Sequence, residues 1–375
     1  MRHGWPTPSR ARTEPRRLRR LVTVLLVAAA VAGALFSAPL AQAQGGSKLF
    51  GLDYSFHDIG ANDPGKLKQS GAKTVRWMFV WPRIETKEGV FNWSSADKLV
   101  GDLAAKGIRV APTLWGSPKW VASSAVTPPI GSPQARAAWT DFLTAAVDRY
   151  GPGGSYWSGE YQTDHPGRAP APIGTWQIWN EPNLRSAMSP ADPGDYAKLL
   201  ELSDGAIKDA DSQAKVMFAG MPGYAGTLNA WDFLDRVYQT PGAAQAFDIA
   251  ALHPYARNVP QMLGEVNRVR ATMQQHGDAH KPLWITEVGW GSLPKDATPY
   301  GETKGKRGQA RILEQAFHQL KKRRHSWHIK RIIWFNFRDP GGGSVKTCSF
   351  CSSAGLLNHD GTPKPAWSAF RSFSR

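Results

Sequence analysis

Short apolar runs alternate with longer amphipathic segments along almost the whole chain, and this alternation restricts the possible folds more than any other feature. The runs span residues 49–54, 74–81, 108–115, 175–181, 215–220, 247–255, 283–290 and 330–337. They are rich in β-branched and aromatic side chains and several are apolar throughout, as expected of strands covered on both faces. The segments between them read as helices. Residues 94–106 begin with serines that can cap a helix and stop before Gly107. Residues 133–150 follow Ser132 as N-cap, carry Pro133 in the first turn, and space Trp139, Leu143 and Val147 four apart. Residues 309–324 put Leu313, Phe317 and Leu320 on one face and finish with Lys321, Lys322, Arg323 and Arg324, where the helix dipole favours cations. Eight strands, each followed by a helix, predict an α/β fold, a (β/α)8 TIM barrel forming a single domain. A doubly wound sheet fits less well, because its glycine-rich first turn is missing.

A barrel of this kind gathers functional groups at the carboxyl ends of its strands. The fourth run reads Trp176-Gln177-Ile178-Trp179-Asn180-Glu181-Pro182, and the seventh reads Leu283-Trp284-Ile285-Thr286-Glu287-Val288-Gly289-Trp290. Each brings a carboxylate to the end of an apolar strand. One such glutamate is commonly a solvated strand end, but two on one rim, both flanked by aromatics, point to chemistry. Glycoside hydrolysis needs such a pair: one carboxyl, kept protonated, donates to the leaving oxygen while the other attacks the anomeric carbon. A separation of ~5–5.5 Å makes such a reaction retaining, and ~6.5–9.5 Å inverting. No metal or organic cofactor is required, since the carboxylates supply both proton and nucleophile.

Several motifs together resemble the retaining glycoside hydrolases of clan A, and within it families 39 and 5. They are Ile178-Trp179-Asn180-Glu181-Pro182-Asn183, Trp284-Ile285-Thr286-Glu287-Val288-Gly289, and Val75-Arg76-Trp77 followed by Trp81-Pro82-Arg83-Ile84-Glu85. The similarity runs from about Phe50 to the chain end, through Gly355-Leu356-Leu357-Asn358-His359-Asp360-Gly361 and Lys364-Pro365-Ala366. The resemblance implies that Glu181 is the acid/base, Glu287 the nucleophile, and Asn180 the partner of the sugar 2-hydroxyl. It implies that Arg76 steadies the nucleophile, that His253 and Tyr255 line the site, and that Trp334 floors a sugar subsite. It also predicts a cis peptide at Trp334–Phe335. Family 5 usually has a histidine where this chain has Thr113-Leu114-Trp115, and the following Pro118-Lys119-Trp120 looks closer to family 39.

Residues 1–43 read as an export signal. Arg16, Arg17, Arg19 and Arg20 precede an uncharged apolar stretch over residues 21–40, and Ala41-Gln42-Ala43 fits a small-x-small cleavage site. A retained membrane anchor is the alternative, since twenty uncharged residues can cross ~30 Å of hydrocarbon. The expectation is a secreted, extracellular domain over residues 44–375, in which Cys348 and Cys351, the only cysteines, close a local disulfide. The full chain carries a net charge of +16. Seven Arg and one Glu belong to the signal, which leaves the remainder at +10. Lys304, Lys306, Arg307, Arg311 and the cations at 321–324 concentrate around the seventh helix. No aromatic motif or nucleic-acid fold accompanies them, so an anionic cell-wall polymer or exopolysaccharide is the expected partner of any such patch, with no nucleic acid.

The chain has 16 Trp. Trp139, Trp231 and Trp367 fall in helices, whereas Trp81, Trp115, Trp179, Trp290 and Trp334 fall near strand carboxyl ends, where an indole can stack on a sugar ring. An aromatic rim predicts several subsites, hence endo action on a β-linked glycan; exo action and transglycosylation use the same site. Long stretches at 151–172 and 292–307 are expected to shape it. The alternative is a catalytically inactive barrel serving as a carbohydrate-binding or cell-surface module, and the expected state is a monomer.

Overall fold

The strands are β1 (Phe50–Asp53), β2 (Thr74–Val80), β3 (Arg109–Trp115), β4 (Thr175–Ile178), β5 (Lys215–Met217), β6 (Ala250–Leu252), β7 (Leu283–Val288) and β8 (Ile329–Trp334). The structure, a computed structural model, describes residues 48–55, 59–223, 228–298, 301–341, 348 and 350–375. The expected export segment lies outside them. Neighbouring strands pair in parallel in the order β5-β4-β3-β2-β1-β8-β7-β6. Parallel bridges Met217↔Ile249 and Pro222↔His253 join the two outer strands and bring the ring to closure. A helix follows each strand: α1 (Asp63–Ser70), α2 (Ser94–Ala104), α3 (Pro133–Tyr150), α4 (Pro193–Ala210), α5 (Ala230–Tyr238), α6 (Val259–Gln275), α7 (Lys306–Arg323) and α8 (Pro365–Ser374). The (β/α)8 barrel read from the sequence is therefore the fold.

Strand parity sets the layers, because successive side chains point to opposite faces. Ala111, Met217, Ile249, Ala251, Trp284 and Ile333 pack against one another inside the ring. Their neighbours along the strands, including Val110, Val216, Leu252, Ile285, Ile332 and Trp334, join the large cluster beneath the helices. The helices dock as their periodicity predicts. In α3 the Ser132 side chain accepts from Ala135 N at 3.1 Å, and Trp139, Leu143 and Val147 are buried. In α7, Leu313, Phe317 and Leu320 are buried, and Phe317 stacks on Phe50 of β1 at 4.7 Å.

Two expectations about the rim change. The fourth strand stops at Ile178 rather than reaching Glu181, because Trp179 (φ 66°) and Glu181 (φ 48°) take left-handed backbone conformations. That is costly for side chains other than glycine and is typical of functional sites. The 151–172 stretch connects the end of α3 to the start of β4, so it lies at the amino ends of the strands, opposite the catalytic rim. There Tyr156 Oη donates to Asp97 O of α2 at 2.7 Å. The 292–307 stretch follows β7 and belongs to the rim.

Candidate active site

The inward positions at the carboxyl ends bring together Asp53 from β1, Arg76 from β2, Gln177 from β4, Asn180 and Glu181 just beyond it, His253 and Tyr255 beyond β6, and Glu287 from β7. Glu287 reaches this position through an irregularity in pairing. Ile332 and Trp334 of β8 pair with Ile285 and Val288 of β7, so the single residue between them on β8, Ile333, opposes two on β7, Thr286 and Glu287. The extra residue lets Ile285 and Val288 both face the helices while the segment between them, Thr286-Glu287, turns to the interior; bulges next to active sites re-aim side chains in this way.

Arg76 is the hub. Its Nη1 donates to Asp53 Oδ2 at 2.8 Å and to Glu287 Oε1 at 2.6 Å, its Nη2 to Asn180 Oδ1 at 2.6 Å, and its Nε to Gln177 Oε1 at 3.3 Å. The guanidinium is 1% exposed and its three nitrogens are all engaged, which a planar fork of donors makes possible. Asp53 is held in turn by Ser55, whose N and Oγ donate to Oδ1 and Oδ2 at 2.9 and 2.8 Å. Tyr255 Oη donates to the other oxygen of Glu287, Oε2. Burial raises the Glu287 carboxyl above its ordinary value, with His253 and Arg76 opposing the rise. Two donors, one of them a cation, favour its ionised form over that of Glu181, which no cation touches among the described residues.

Glu181 is the other half of the pair. Burial pushes its carboxyl up to about 7, against a partial offset from Arg76, so it holds its proton in mildly acidic solution. His253 Nδ1 lies 2.9 Å from Glu181 Oε1, and its Nε2 lies 3.5 Å from Glu287 Oε1. The imidazole is fully buried and its pKa is lowered to about 4, primarily by burial, with Glu287 opposing. It is therefore neutral near pH 7, one nitrogen carrying a proton and the other a lone pair. The inward turn of this ring depends on Gly220, where an added Cβ would overlap His253 Nε2 and Thr286 Oγ1. An oxygen of each glutamate and a nitrogen of His253 all lie within 4.8 Å of one another. These three are the group among the described residues that could offer ligand atoms to a metal ion. The guanidinium already on Glu287 Oε1 competes electrostatically with any dication there.

Of the predicted site residues, Arg76, Asn180, Glu181, His253, Tyr255 and Glu287 come together. Trp115 has the inward parity of Ala111 and Thr113 and is half-buried, with its Nε1 donating to Ala187 O at 3.2 Å. Trp290 and Trp334 do not join them. Both are fully buried in the shell; Trp290 Nε1 donates to Ala256 O at 2.7 Å, Trp334 Nε1 to Ala354 O at 3.1 Å, and the rings lie 6.2 Å apart. Trp334 cannot floor a subsite, because Ile333 is inward and parity sends the next residue outward. The inward residue is Phe335, and the non-proline cis peptide is Phe335–Asn336, not Trp334–Phe335. Trp81 and Trp179 are also fully buried. Sequence reading missed Asp53 and Gln177, although Asp53 ends an apolar strand on the same rim as the two glutamates. The Cys348–Cys351 disulfide is present.

Residues 168–368 match the family model described as the glycosyl hydrolase catalytic core. A β-xylosidase of Geobacillus stearothermophilus is 24% identical over 311 residues, covering 76% of this chain and 56% of that protein. The chain thus spans little more than half of that relative's length. A family 39 glycoside hydrolase from the gut symbiont Bacteroides cellulosilyticus WH2 superposes with a TM-score of 0.65 at 18% identity, covering 88% of this chain and 64% of the other. A family 5 glycoside hydrolase from Bifidobacterium longum, solved with Manβ1-4GlcNAc, gives a TM-score of 0.63 at 14% identity, covering 88% and 78%.

Proposed function

The chain belongs to the glycosyl hydrolase catalytic core family, and from that premise we propose that it is a retaining β-glycosidase with Glu287 as nucleophile and Glu181 as acid/base. The observation that carries this reading is the pair itself: one oxygen of each carboxylate within 4.8 Å, with Arg76 and Tyr255 on Glu287 and the neutral His253 against Glu181. That spacing suits a retaining reaction and leaves little room for the water an inverting one interposes. Glu287 attacks the anomeric carbon as Glu181 passes its proton to the departing oxygen. The ester that forms removes the negative charge of Glu287, so Glu181, now ionised, can draw a proton from water that releases the sugar. Asn180, anchored by Arg76, faces the same space and is the proposed partner of the sugar 2-hydroxyl.

The substrate we propose is a β-linked glycan, with aryl β-xyloside as the first compound to try given the Geobacillus relative. An extended aromatic cleft for endo action needs Trp81, Trp115, Trp179, Trp290 and Trp334 to face the rim. Four are fully buried, so we favour release of residues from a chain end. A binding-only barrel is disfavoured by the intact carboxyl pair and the Arg76 network. We propose export through residues 1–43, which the disulfide supports, since such bonds persist in oxidising compartments.

Incubation with activated 2-fluoro sugars followed by peptide mapping tests the assignment. The label is expected on Glu287, and proton NMR of a β-glycoside digest should show the β-anomer first. A label on another residue, or α-anomer appearing first, would overturn the role assignment or the retaining mechanism respectively.

A further inference from the structure

The disulfide does more than close a loop, because of the side chain held beside it. Phe350 is 6% exposed and packs with Phe335, Cys351 and Ala354 in a small apolar cluster separate from the barrel core, with Tyr255 and Cys348 against it. The Tyr255 and Phe350 rings meet edge to face at 5.0 Å, Tyr255 and Phe335 at 5.9 Å, and Phe335 and Phe350 at 6.2 Å. The phenol is wedged between two other rings. A tyrosine has two side-chain torsions, so ring contacts of this kind decide where its hydroxyl sits, and here it sits on Glu287 Oε2.

The loop is anchored firmly on one side of Phe350. Gln309 Nε2 of α7 donates to Ser353 O at 3.2 Å and Ala354 O at 3.1 Å, and the buried Lys364 Nζ donates to Ser353 O at 3.0 Å. On the other side the tie among the described residues is the bond from Cys348 to Cys351. Arg76 fixes one oxygen of Glu287 and Tyr255 fixes the other, so rotation of the carboxylate is limited by a residue that Phe350 supports.

We propose that Phe350, clamped by the Cys348–Cys351 disulfide, is a positioning residue that acts through Tyr255 to orient the Glu287 carboxylate. The proposal rests on Glu287 being the nucleophile, and its test separates the two. Kinetics on an aryl β-glycoside would be measured for wild type, Phe350→Ala, Phe350→Leu, Tyr255→Phe and the Phe350→Ala/Tyr255→Phe pair, with folding followed by thermal melting. Phe350→Ala is expected to lower kcat/KM on the order of 10-fold, mostly in kcat, as small misplacements of reacting groups do. The acid limb of its pH profile should move to higher pH, because a carboxylate that loses a donor binds its proton more tightly. Phe350→Leu should recover most of the loss, and in the Tyr255→Phe background Phe350→Ala should cost less than ~2-fold, since coupled residues are not additive.

Independent, multiplying losses in the pair would overturn the proposal, as would, in a protein whose wild type is labelled at Glu287, a folded Phe350→Ala enzyme of wild-type rate and unshifted acid limb or a Phe350→Leu enzyme no faster than Phe350→Ala. Failure of the wild type to label at Glu287 would instead sink the functional reading beneath it. Reduction with a phosphine, followed by the gain of two hydrogens in mass, should lower kcat in wild type and have no further effect in Phe350→Ala. Equal loss in both proteins, or none in wild type, would remove the disulfide from the proposal.

Discussion

Removing the Arg76 charge should make the protein's stability depend on pH in a direction that packing loss cannot imitate. Arg76→Met keeps most of the side-chain volume but leaves Asp53 and Glu287, 2.8 and 2.6 Å from the guanidinium in wild type, buried without their shared cation. At those separations each attraction is worth ~6 kcal/mol gross at an effective dielectric near 20. Breaking a buried pair by deleting one partner costs ~3–5 kcal/mol net. With typical domain stabilities of ~5–15 kcal/mol, the variant should fold but melt well below wild type. The sign with pH follows from the protons. Without the guanidinium the buried Glu287 carboxyl is held protonated in the folded state at pH values where the unfolded chain has released its proton. The folded state then binds more protons, and its stability falls as pH rises above the unfolded carboxyl value of 4.5. Denaturant unfolding of wild type and variant at pH 4.5, 6 and 8 reads this directly. The deficit should be smallest at pH 4.5 and largest at pH 8, and kcat/KM at pH 6 should drop on the order of 10²-fold because the nucleophile is no longer ionised. Arg76→Lys should restore part of the stability but little activity, since an ammonium lacks the planar fork that reaches four acceptors. A deficit of equal size at all three pH values would refute the electrostatic role of Arg76.

Glu181 and His253 should nearly cancel in the pH dependence of wild-type stability. The raised Glu181 pKa lowers stability as pH climbs from 4.5 to about 7, and the lowered His253 pKa raises it from about 4 to 6.5. Glu181→Gln should therefore gain stability over wild type by up to ~1.4 kcal/mol per pH unit between 4.5 and 7, measured by denaturant titration; a flat difference contradicts the buried, protonated state. The same variant should lose the basic limb near pH 7. On dinitrophenyl glycosides, whose leaving group needs no proton, it should keep kcat/KM while kcat falls because no base activates the water of the second step, as pH–rate profiles of both constants would show. Gly220→Ala forces His253 and Thr286 to move and should cost ~1–3 kcal/mol together with activity, so an unchanged melting curve and rate would discount that contact. Trp334→Ala should cost ~3–5 kcal/mol as a core residue, whereas Trp115→Ala should lower the melting temperature less and raise KM; the opposite pattern would restore Trp334 to the cleft.

The eight strand–helix units and the two glutamates at strand ends were legible in the residue pattern alone. Both are local signals: a strand shows its period within a few residues, and Glu181 and Glu287 sit where apolar runs meet turn residues. The Cys348–Cys351 pair, three residues apart, was equally legible. Long-range register was not. One extra residue on β7 turns Glu287 inward and leaves Trp290 outward, and nothing in the local pattern of residues 283–290 announces it. On β8, parity hid Trp334 and presented Phe335, and the cis bond followed one residue later. Asp53 and Gln177 acquired meaning only when the barrel brought four strands around one guanidinium, which joins residues up to 211 positions apart. Tryptophan abundance suggested a lined cleft because composition records hydrophobic area but not the side of the strand on which it falls. Only the closed ring, with its fixed pairing between strands, decides which indoles hold the barrel together and which can meet a sugar.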